Sequence, residues 1–183
     1  MTPAGGIEAM LLGVALSGGF FALVALALRR SLGSVAAWAI AGFVWSLVVI
    51  AIVTLLPTDP DVGVVAAEGR ATTCSTDIGG PAPDGFWIFA GGQRLLNTVL
   101  FIPSGALLVL GASRWRIGWV LVPLGLAGLA AYSALIELTQ LELARIDRAC
   151  DLTDVIDNVT GAGFGVAVGL VLMVLVRPWR QRR

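Results

Sequence analysis

Three short blocks hold the side chains that could do chemistry together: Arg94 with Asn97, Glu137 with Gln140, and Arg148, Asp151, Asp154 with Asn158. Guanidinium groups hold phosphate or carboxylate through paired N–H donors, and the carboxamides add hydrogen bonds of either sense. Glu137 or Asp154 could act as a general base, with Arg148 stabilising developing negative charge. The same residues could instead tie helix ends together without any ligand, and Asp151 or Asp154 could serve only to cap a helix. The chain has no histidine, which excludes a histidine-based triad, a histidine base and the usual zinc sites. An oxygen-liganded divalent ion stays open, but no metal or cofactor is expected. No nucleotide loop, haem motif or CxxC pair occurs, and no nucleic-acid partner is expected.

The elements that must position these blocks are membrane spans. The composition is 57% hydrophobic, with a mean hydropathy of +0.90. Five apolar stretches, Ile7 to Leu28, Val35 to Leu56, Leu95 to Leu110, Ile117 to Leu138 and Val155 to Val176, approach the length a helix needs to cross about 30 Å of hydrocarbon. The third is marginal. The fold expected is an all-α polytopic transmembrane bundle, one membrane domain over residues 1–183, with a loop outside the cytoplasm at 57–93.

Charge sorts by side. Arg29, Arg30, Arg114, Arg116, Arg177, Arg180, Arg182 and Arg183 lie in connections without an acid, while the other four arginines share the remaining segments with all twelve acids. By the positive-inside rule the C-terminus is expected in the cytoplasm and the N-terminus outside. The first stretch lacks the basic start and short apolar core of a signal peptide, so it is expected to be a retained anchor. The lipid bilayer is the first expected partner.

On this topology the three blocks meet at the outer face. Glu137 and Gln140 are spaced i and i+3, which puts both on one helix face. Positions 151, 154, 158, 161 and 165 form a 3-4-3-4 series, one stripe running from acids through an amide to glycines. Arg94 and Arg148 are the expected counterions of Glu137, Asp151 and Asp154, because ionisable groups near span ends pair. Cys74 and Cys150 fall in two outer loops on the oxidising side, and a disulfide between them is expected. Gly161, Gly165 and Gly169 make a small-xxx-small packing face. Pro103 is expected to kink the third span. The segment Gly85-Phe-Trp-Ile-Phe-Ala90 is read either as an interfacial aromatic helix or as an early start of that span.

The strings Arg94-x2-Asn97-x3-Phe101-x-Pro103-x-Gly105, Glu137-x2-Gln140 and Arg148-x2-Asp151-x2-Asp154-x3-Asn158-x2-Gly161 resemble the VanZ-like family of bacterial membrane proteins. The resemblance covers a core at 95–176. It implies residence in the bacterial plasma membrane and a link to the cell envelope, since the founding member is associated with low-level teicoplanin resistance. It also implies that the eight residues of the three blocks form a site. Three readings follow: a protein binding a glycopeptide or a lipid-linked cell-wall precursor at the outer leaflet, an enzyme acting on a lipid-linked phosphate, and a structural or transport subunit.

Overall fold

The computed structural model describes residues 6–59, 61, 63–78, 92–145 and 149–177. Five long helices account for most of them: α1 (Ile7–Leu32), α2 (Ser34–Leu55), α3 (Gly92–Ala112), α4 (Gly118–Leu143) and α5 (Leu152–Val176). Each is long and apolar enough to cross a membrane. In hydrocarbon a backbone N–H or C=O has no water to bind, so a chain of this composition must satisfy both within its own helices. Among the described residues there is no strand, only two isolated bridges.

The helices run past the apolar stretches at their polar ends. α3 begins at Gly92 rather than Leu95, so Arg94 lies inside it, and α4 continues to Leu143, so Gln140 does too. Hydropathy falls at the first polar residue, whereas backbone hydrogen bonding carries on. α3 is helical on both sides of Pro103 without interruption. The 85–90 aromatic segment lies outside the described residues.

α3 is the hub, packing most extensively against α5 and also on α2, while α1 packs on α2 and α4 on α5. The core gathers Ile50, Phe101, Leu129, Ile136 and Ala162. Tyr132 Oη donates to the Leu47 carbonyl at 2.6 Å, and the Ser46 and Ser104 hydroxyls meet at 2.8 Å. Such bonds between helices help hold a bundle that lipid alone gives no hydrophobic reason to associate. α1 is peripheral, with Leu11, Leu16, Phe20 and Leu23 largely exposed.

α3 and α5 approach each other closely along a glycine seam. A Cβ at Gly161 would collide with the Thr98 carbonyl, one at Gly165 with the Ile102 carbonyl, and one at Gly105 with the Ala162 carbonyl. Glycine is therefore required there by backbone contact, as the four-residue spacing implied. Gly33 is required for a different reason. It alone links α1 to α2, at φ 80°, where a side chain is strained.

The two ends of the bundle differ. One carries the short α1–α2 and α3–α4 turns and their arginines. At the other, the long α2–α3 connection is stitched to the α4–α5 connection. Cys74 and Cys150, 76 positions apart in sequence, are joined by a disulfide with Cα atoms 4.7 Å apart. Beside it Ser75 N donates to Cys150 O, and Leu152 N donates to Ser75 O, both at 2.9 Å. Val65 N donates to Ala144 O at 2.7 Å, and Gly6 N to Pro57 O at 2.9 Å, which brings the start of α1 to the same end.

Candidate functional site

The polar residues of the three blocks lie at this stitched, acid-bearing end. Asp151 is the N-cap of α5: its Oδ1 accepts from Thr153 N at 2.8 Å, satisfying one of the donors that a helix start leaves over. Its own N–H donates to Glu137 Oε2 at 3.1 Å, so the last turns of α4 hold the first turn of α5. Glu137 and Gln140 are both buried, and Gln140 Nε2 donates to the Thr54 carbonyl of α2 at 3.1 Å.

Arg94 grips Asp157, and this corrects the partner expected for Arg94 from sequence. Its Nε donates to Oδ2 at 2.8 Å and its Nη2 to Oδ1 at 2.7 Å. The Asp157 side chain is fully buried and that of Arg94 is 14% exposed. The bidentate fork satisfies both carboxylate oxygens, which a buried acid inside a span demands. For Arg94 the partner is thus Asp157 rather than Glu137, Asp151 or Asp154, while the pairing expected of Arg148 lies outside the described residues.

The stripe read from sequence also divides. Asp157, Gly161, Gly165 and Gly169 face α3, one turn after another. Asn158 turns to α4, where its Nδ2 donates to Ser133 Oγ at 2.9 Å. Asp154 sits above Asp157 and accepts from Gln93 Nε2 at 3.3 Å. Arg148 lies outside the described residues.

Between these bonds lies a cavity of about 680 Å³, to which all five helices or their flanking residues contribute. Its polar wall includes Thr54, Gln93, Asn97, Gln140, Asp151 and Asp154. Met10, Val53, Leu96 and Leu100 supply apolar lining. Of the residues expected from sequence, Asn97, Gln140, Asp151 and Asp154 therefore share one space, while Arg94, Glu137 and Asn158 brace the helices around it. Asn97 Nδ2 is buried beside Asp154 yet makes no hydrogen bond of acceptable geometry among the described residues. Asn158 Oδ1 is in the same condition. Among the described residues no group of three acids or cysteines is close enough to cage a metal.

Sequence reasoning missed Asp157, Gln93, Thr54 and Met10. A signal for Asp157 existed: it stands four residues before Gly161, just as Arg94 stands four before Thr98, the residue on which Gly161 packs. Nothing in sequence marks the other three.

The arrangement can bind. The carboxylates of Asp151 and Asp154 accept from ammonium or hydroxyl donors, and Asn97 can donate to a carbonyl or hydroxyl oxygen. Among the described residues no arginine lines the cavity. A family model described as VanZ/LLP1 matches residues 43–175, taking in the three blocks and most of α2. No curated protein and no solved structure matches the chain.

Proposed function

The chain belongs to the VanZ/LLP1 family, and from that premise we propose that it is a bacterial plasma-membrane protein that binds an amphiphile of the cell envelope in the cavity at its acid-bearing end. The acid-bearing end faces outward in this reading, as the distribution of arginine implies. The ligand is a glycopeptide antibiotic such as teicoplanin or a lipid-linked cell-wall precursor, and binding lowers glycopeptide susceptibility. The observation that carries the reading is the cavity itself. It combines two carboxylates and the Asn97 carboxamide, its Nδ2 buried beside Asp154, with an apolar lining, which suits a molecule with both a polar head and a hydrocarbon part.

The details shift the expected chemistry away from phosphate. Arg94 is engaged by Asp157 and lies off the cavity wall. Among the described residues recognition then rests on hydroxyl and ammonium groups of the ligand. An enzyme acting on a lipid-linked phosphate finds less support, since Glu137 is buried and bonded to the Asp151 N–H. A clamp alone accounts for Arg94, Glu137 and Asn158, but not for an open cavity beside Asp154.

The test is expression in a glycopeptide-sensitive host. Wild type should raise the inhibitory concentration of teicoplanin, whereas Asp154→Asn and Leu96→Trp should not, at equal membrane levels. No change with wild type, or full effect with both variants, would remove the reading.

A further inference from the structure

The arginine-rich end carries a second, different feature. An apolar groove of about 700 Å³ runs between the end of α3, the start of α4 and the last turns of α5, with Val109, Trp115, Trp119, Val122, Val166 and Met173 among its walls. Arg114 and Arg116 flank the lining residue Trp115 in the turn between α3 and α4. No acid occurs anywhere in residues 9–58, 85–136 or 158–183, so this end of the bundle has no carboxylate of its own to offset them.

Helix dipoles explain part of that charge only. Arg29 and Arg30 lie in the last turn of α1, where a cation is favoured. Arg116 precedes the start of α4, where a cation is disfavoured and an anion is welcome. The first N–H groups of α4 are largely met by backbone carbonyls, Gly118 N donating to Trp115 O at 3.1 Å and Val120 N to Ile117 O at 2.9 Å, so the arginines are the groups left to meet an anion. Two arginines without an acidic side chain near them and a groove fit for an acyl chain therefore meet at Trp115. We propose that an anionic phospholipid of that leaflet occupies it, with its phosphate held by Arg114 and Arg116 over the start of α4 and one acyl chain in the α3–α4–α5 groove. Charge selects the occupant: a zwitterionic lipid brings the same chain and a phosphate but no net charge to offset the arginines. Tryptophans at the mouth suit headgroup depth.

The test is native mass spectrometry of the full-length protein with phosphatidylglycerol and with phosphatidylcholine of identical chains. Wild type should retain one phosphatidylglycerol in preference to phosphatidylcholine. The double variant Arg114→Gln/Arg116→Gln should weaken that retention about 30-fold, and Arg116→Gln alone about fivefold, at the usual contribution per arginine near an anionic surface. Val122→Trp should block the groove, while Leu124→Trp should leave retention unchanged, because Leu124 lines the neighbouring α2–α3–α4 groove, which shares only Trp115 with it. Arg116→Gln settles the matter if the double variant does not fold. Equal retention of the two lipids by wild type means adventitious annular lipid only and overturns the proposal, as does wild-type retention by the arginine variants.

Discussion

The two ends of the bundle handle charge in opposite ways. At the acid-bearing end the ionised groups are answered within the protein: Arg94 by Asp157, Asp154 by Gln93, and Glu137 by the Asp151 N–H. A disulfide and backbone bonds fasten the loops around them. At the arginine-rich end the connections are as short as a single glycine, the grooves are apolar, and no acid is present. One end is organised by protein contacts that leave a polar cavity; the other leaves its charge to be met from outside the chain. The contrast shows that equal numbers of arginines and acids say little about where ion pairs form.

The strongest way to break the comparison is to remove an internal partner. Asp157→Ala strands Arg94 in a largely buried position, and unfolding in detergent should show a loss of about 3–5 kcal/mol. Arg114→Gln, at the other end, should change stability by roughly 0.5 kcal/mol or less in lipid-free detergent. Comparable losses would mean that the two ends do not differ as described. Next in size, Cys74→Ser with Cys150→Ser should cost about 2–4 kcal/mol, since the bridge closes a long loop. Reducing agent should lower the wild-type melting temperature and leave the double serine variant unmoved.

A smaller effect separates the seam from its surroundings. Gly161→Ala must push α3 and α5 apart and should cost about 1–3 kcal/mol. Gly163→Ala, where a Cβ meets open space, should instead be neutral or slightly stabilising, by up to about 1 kcal/mol from helix propensity. Thermal unfolding of the pair measures the difference directly.

Much of this architecture is legible in the chain. Five helices follow from apolar length, and the glycine seam follows from four-residue spacing. The disulfide was expected from the shared side of Cys74 and Cys150. The partner of Arg94 was less legible because 157 and 158 are both acceptable continuations of a helical stripe from 154. Only the contact of Gly161 with Thr98 fixes the rotation that gives Asp157 to α3 and Asn158 to α4. The cavity was legible only in its polar members. Its volume depends on how far the ends of α1 and α2 stand from α3 and α5, which rests on packing that no local pattern encodes. Met10 and Thr54 accordingly carry no mark in sequence.

The account's central claim is that the cavity beside Asn97, Asp151 and Asp154 is a binding site rather than a gap left by helix clamping. The direct measurement is equilibrium binding of teicoplanin and of a lipid-linked cell-wall precursor to the protein in nanodiscs, compared with Leu96→Trp. Leu96 lines the cavity at its open side, being largely exposed, and makes none of the polar bonds described, so a larger ring there obstructs entry without breaking the clamp. The account predicts saturable binding of one of the two ligands to wild type and its loss in Leu96→Trp at an unchanged melting temperature. Binding of neither ligand to wild type, or undiminished binding to Leu96→Trp, would contradict it.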